Sequence, residues 1–211
     1  MSQASTRPDP WSAVLGSAAL AGVIVFACVC LAAQFLRTDL RWTRAPLSFY
    51  LVGPGGHVVQ AAYLVLAAGL AALGAGMYRN LPPFARSAAP LVLFVVAGVA
   101  LAVTALAKTN LPGMPVHLHG FVHLLAAATT FICVTTAMLL QSWRMRLDPA
   151  WRCMFLAASL LAASAFVDLG TYALLDFLPR GLMQKGVIAL ILLWLGGVSW
   201  RLAKTARHAA D

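Results

Sequence analysis

The stretch "AVLGSAALAGVIVFACVCLAA", residues 13–33, runs for 21 residues without a charge. About 20 apolar residues wound as a helix cross the hydrocarbon core of a bilayer, so this stretch reads as a membrane span. It is longer than the apolar core of a secretory signal, and Arg7 before it is offset by Asp9. A retained first helix is expected rather than a cleaved leader. Five more runs of the same character follow, and the predicted spans are 12–36, 56–78, 88–107, 117–141, 152–175 and 183–203. Turn formers separate them: Gly53-Pro54-Gly55-Gly56, Pro82-Pro83, Pro112-Gly113 and Pro179-Arg180-Gly181. The expected fold is all-α, a six-helix transmembrane bundle forming one domain over residues 1–211.

Composition excludes the soluble classes. Of 211 residues, 62% are hydrophobic and 10% charged, where a soluble domain carries about a quarter charged residues. The six acidic residues are all Asp, and the formal charge is +9. The basic residues gather at the ends of apolar runs, as membrane anchors do. With no basic tail and no polar module, nucleic acid is excluded as a partner. Cys28, Cys30, Cys133 and Cys153 lie in or beside apolar runs without a CxxC pair. They read as small core hydrophobes, with no disulfide framework.

Lys and Arg set the expected orientation. Arg7, Arg79, Arg86, Arg144, Arg146, Arg152, Arg201, Lys204 and Arg207 fall on the side of the termini. Arg37, Arg41, Arg44, Lys108, Arg180 and Lys185 fall on the other. Nine against six places both termini in the cytoplasm, in a bacterial inner membrane. Trp11, Trp143, Trp151 and Trp200 are expected in an aromatic belt on that face. Ala61, Ala68, Ala72 and Gly76 recur at helical spacing and predict a closely packed helix face.

The histidines break the apolar pattern. "MPVHLHGFVH", residues 114–123, holds His117, His119 and His123, and His57 opens the second span at the same outer face. His208 lies in the tail, solvated. His119 and His123, four apart, share a helix face that continues through Ala126, Ala127, Thr130 and Val134. Asp168 interrupts the fifth span, where a charge costs about 2.5–3.5 kcal/mol and usually faces the bundle or water. One outward-opening pocket is expected from His57, His119, His123 and Asp168, with Gln184 and Lys185 at its rim. Asp168 is expected to pair with one of these histidines, and His119 to matter more than His117.

Such a set admits several chemistries. A structural network or a lipid contact comes first. His119, His123 and Asp168 suit zinc, and Met114 with His117 and His119 would suit copper. His57 facing His119 or His123 would suit a haem iron. "PRGLMQKG", residues 179–186, offers Arg180, Gln184 and Lys185 to a phosphate headgroup or to plain interfacial anchoring. The connector 37–55 mixes Arg with Trp42, Phe49 and Tyr50, which suits a segment in the interface, capping a cavity or simply joining two helices.

Three short motifs carry a resemblance. They are "LSFYLVGPGGHVVQ" before and into the second span, Leu118-His119-Gly120, and Gly181-Leu182-Met183-Gln184-Lys185 opening the last. In this order they resemble the six-helix bacterial and archaeal membrane proteins grouped as domain of unknown function number 998. Family members often carry an acid after the Ser, where this chain has Phe49, and an Asp in the loop before "LHG", where it has "AKTNLPG". The resemblance implies the fold and no activity. The expected function is therefore binding, of a membrane lipid or of another membrane protein. The competing readings are a metal-dependent hydrolase of lipid esters or amides and a small b-type haem protein.

Overall fold

Six long helices and two short 3-10 turns make up the computed structural model, which describes residues 10–111, 113, 115, 117–175 and 177–205. The helices are α1 (Pro10–Leu36), α2 (Gly56–Asn80), α3 (Ala88–Leu106), α4 (Leu118–Met145), α5 (Phe155–Leu174) and α6 (Arg180–Thr205). All six are long and apolar enough to cross a membrane, and no strand occurs among the described residues. The 3-10 turns are Leu47–Leu51, in the connector from α1 to α2, and Arg152–Met154, at the entry to α5. Arg7, Met114, Arg207 and His208 lie outside the described residues.

Successive helices run antiparallel, so the helix ends near both termini share one face of the bundle. Three interactions draw that end together. Arg144, closing α4, donates from Nε to the Ala85 carbonyl at 2.8 Å and from Nη2 to Phe84 and Arg86 at 3.0 Å each. The Trp151 indole N–H donates to Asn80 Oδ1 at 2.7 Å. Arg201 reaches the Ala150 carbonyl. Trp11, Trp143 and Trp200 are more than half exposed there, as a belt requires. Arg146 lies over the Trp143 ring at 3.7 Å and Lys204 over Trp200 at 4.0 Å. Trp151 departs from the expected belt. It is 1% exposed, because its polar edge finds Asn80 inside the bundle instead of water.

Two helices extend three or more residues past the sequence expectation, and α5 starts at Phe155 rather than 152, after the 3-10 turn. Helix α4 continues to Met145 rather than ending at 141, and α6 begins at Arg180 rather than 183. The α4 extension carries Arg144, which bonds the connector between α2 and α3; the α6 extension carries Arg180, 5.7 Å from the Tyr172 ring on α5, and Leu182, whose N–H donates to the Thr43 carbonyl at 2.9 Å. The small-residue face also differs. Ala61 and Ala68 are exposed, whereas Ala62, Gly69 and Gly76 are buried one heptad apart. Close approach is real there: a Cβ on Gly69 would lie 3.5 Å from the Ala19 carbonyl oxygen on α1. Of the cysteines, Cys30 is buried and Cys133 half-buried, but Cys28 and Cys153 are exposed, so only part of that set serves the core.

The connector from α1 to α2 does not lie flat in the interface. Leu47 and Tyr50 are 2% and 1% exposed, so the 3-10 turn is sunk into the open end of the bundle. Lys185 holds it there, donating from Nζ to the carbonyls of Ala45 at 2.8 Å and of Trp42. Its ammonium also sits 5.7 Å from the Tyr50 ring. At the connector's ends, Arg37 grips Asp39 through Nε and Nη2 at 2.7 Å each and donates from Nη1 to the Val52 carbonyl at 2.8 Å.

That clamp makes a pH prediction. The Arg37 hydrogen bond holds the Asp39 carboxyl below its ordinary value of 3.8. A lowered folded-state pKa contributes stability above the ordinary value and loses it as pH falls through the lowered one. Asp39 is exposed, so the effect is small. Limited proteolysis should therefore find connector 37–55 equally protected at all pH values above 3.8, and easier to cut only below it. Arg37→Gln should expose it to cutting at neutral pH.

Candidate functional site

His123 anchors the site. It sits in the second turn of α4, is 4% exposed, and pairs through Nδ1 with the Ala107 carbonyl at 3.0 Å. Ala107 closes α3, where helix carbonyls lack partners within the helix. A carbonyl only accepts, so Nδ1 carries the proton, and Nε2 of the neutral ring remains an acceptor.

Two further groups stand beside it, each from a different element. Gln184, in the second turn of α6, is 9% exposed and accepts through Oε1 from the Leu47 backbone N–H at 2.7 Å. That bond orients the amide and leaves the Nε2 donor over. Ser48, in the 3-10 turn, makes no side-chain hydrogen bond to a described residue.

These three residues line two adjoining voids. An inner cavity of about 80 Å³ lies among α2, α3, α4 and α6, walled mainly by apolar side chains such as Leu66, Leu101, Ile188 and Leu195. Thr104 and Thr130 add oxygens to it, their hydroxyls donating to the Ala100 and Ala126 carbonyls at 2.9 Å each. An outer groove of about 380 Å³ lies among α4, α5 and the connector. Thr109 and Asn110 stand toward its polar end, and Leu124, Ile132 and Leu169 line its apolar length. Leu124 and Ile132 are 67% and 55% exposed, so the groove opens toward the lipid face. Ser48, His123, Ala127, Phe131 and Gln184 line both voids and join them.

The other residues expected in the pocket stand apart from it. His57 and His119 are exposed and line neither void. His117 is exposed at the N-cap of α4, so neither it nor His119 is buried. The helix starts at Leu118, which leaves His119 in its first turn, beyond the neighbours that bury His123. Asp168 is half-buried on α5, with Oδ2 3.1 Å from where a Cβ on Gly186 would lie. It makes no hydrogen bond or ion pair with a described residue, so the expected pairing with a histidine is not formed. Lys185 and Gln184 bond to the connector rather than standing free at a rim.

Among the described residues no three of His, Cys, Asp and Glu come close enough to hold an ion. Neither void is lined by two histidines. The proposed copper set includes Met114, which lies outside the described residues.

The residue that sequence reasoning passed over is Ser48. It appeared only as the Ser of "LSFYLVGPGGHVVQ", and nothing local foretells that the connector carries it into the bundle. A family model described as a protein of unknown function (DUF998) matches residues 20–201. No protein of curated function and no solved structure matches the chain.

Proposed function

Since the chain belongs to DUF998, a family of unknown function, and its six helices are apolar enough to cross a membrane, we propose that it binds one single-chain amphiphile from the bilayer. The observation that carries this reading is the joining of the two voids through Ser48, His123 and Gln184. Hydrogen-bonding groups gather at one end of an apolar groove whose flank faces lipid. An apolar pocket of about 300–1,000 Å³ with a few convergent polar groups is the usual form of a ligand site. A chain would lie between α4 and α5, with its head against His123. Helix α5 favours entry from that side, because few of its residues are buried; these are Ala158, Ala162 and Ala165.

A blocking substitution tests this. Ala127 lines both voids at their junction. Ala127→Trp should leave the bundle folded and remove most of the lipid that co-purifies with wild-type protein, measured by mass spectrometry of solvent extracts. Equal retention by folded variant and wild type would refute the site.

The membrane is a bacterial inner membrane, with both termini and Arg79 in the cytoplasm and the histidine end in the periplasm. Lys and Arg, nine to six, support that orientation. Reporter fusions at Arg79 and Lys108 should label opposite sides, a cytoplasm-specific reporter being active at Arg79. Activity of a periplasm-specific reporter at Arg79 would invert the assignment.

A further inference from the structure

Resting on that binding reading, we infer that the amphiphile's head is uncharged and both donates and accepts a hydrogen bond, as a fatty alcohol, a monoacylglycerol or a primary fatty amide does. The polar atoms left over at the junction define this class. His123, its Nδ1 proton committed to the Ala107 carbonyl, has an acceptor to offer at Nε2. Gln184, its Oε1 committed to the Leu47 N–H, has donors to offer at Nε2. The Ser48 hydroxyl can do either. An alcohol meets all of this at once: its O–H donates to His123 and its oxygen accepts from Gln184. A primary amide does the same with N–H and C=O.

Charged heads fail on the same inventory. No Lys, Arg, Asp or Glu lines either void. Lys185 follows Gln184 in sequence, but its ammonium is engaged by the Ala45 and Trp42 carbonyls. A phosphate or an ammonium at the junction would be a buried charge with no Lys, Arg, Asp or Glu in the lining to balance it, which proteins rarely tolerate. A head that only accepts, such as a methyl ester, would leave His123 Nε2 unpaired at a buried site, and an unmade buried hydrogen bond is costly.

The test uses the full chain in lipid nanodiscs and a competition against radiolabelled hexadecanol. Competitors share one chain length and differ in head: hexadecanol, palmitamide, methyl palmitate, hexadecyl phosphate and hexadecylamine. Hexadecanol and palmitamide should compete alike. Methyl palmitate, the phosphate and the amine should each be weaker by about ten-fold or more, the scale of one buried group left unpaired. Ser48→Ala, which touches no other hydrogen bond, should weaken hexadecanol by about five-fold, the scale of one neutral hydrogen bond. Phosphate or amine binding as well as the alcohol, in protein where Ala127→Trp still blocks it, would overturn the head class and leave the site standing. Hexadecanol binding indifferent to Ala127→Trp would overturn the site itself.

Discussion

Gly98→Leu should yield no stable bundle. A Cβ on Gly98 would lie 2.6 Å from the Ala67 carbonyl oxygen on α2, and the obstacle is backbone, which has no alternative rotamer. The two helices are matched on both sides of this contact. Gly74 on α2 faces Phe94 on α3, where a Cβ would meet the Phe94 Cβ at 3.0 Å. Phe94 is fully buried and lies 5.9 Å from the Trp194 ring on α6, so parting α2 from α3 unseats the centre of the core. Overfilling a packed interior costs about 1–3 kcal/mol, occasionally more, and a clash with a carbonyl belongs at the top of that range. Gly170→Leu is the control. Gly170 on α5 has nothing within 4 Å of where its Cβ would be, so that variant should purify as wild type does. Size-exclusion profiles and melting curves of the two detergent-solubilised variants check the contrast.

The second large effect is at His123. His123→Leu should lose ligand retention by about ten-fold or more and lower the melting temperature. Two buried bonds go at once: the ligand's, and that of the Ala107 carbonyl, which then has no partner from this side chain. Leaving a buried polar group unsatisfied costs about 1–3 kcal/mol. His119→Leu and His57→Leu should change neither quantity, since both residues are exposed and line neither void. Thermal melts with bound lipid quantified in each variant separate the three. A His119 effect equal to that of His123 would mean that the polar site lies nearer the membrane surface.

The spans were legible because crossing a bilayer demands length and apolarity, and both are local properties of sequence. The end of α4 and the start of α6 were not, because Arg144 and Arg180 lower hydropathy yet meet connector carbonyls and the Tyr172 ring that only the fold brings near. The site divides in the same way. The four-residue spacing of His119 and His123 placed both on one face, but burial depends on the height of that face within the bundle. His123 meets the end of α3 at Ala107, and His119 rises above it. Asp168 looked like a partner for a histidine because it is the one acid in its span, yet it turns to Gly186 on α6. Ser48 was beyond reach of any local pattern, since its place comes from a connector pinned by Lys185 and Gln184.

The central claim is that a chain from the bilayer lies between α4 and α5 and ends at His123. An experimental structure of the wild-type protein in lipid nanodiscs measures this directly. It should show elongated density along Leu124, Ala128 and Ile132, ending within hydrogen-bonding distance of His123, Ser48 and Gln184, and absent from the Ala127→Trp variant. Helix α5 packed onto α4 with the groove closed, or density confined to the outer surface of the bundle, would contradict it.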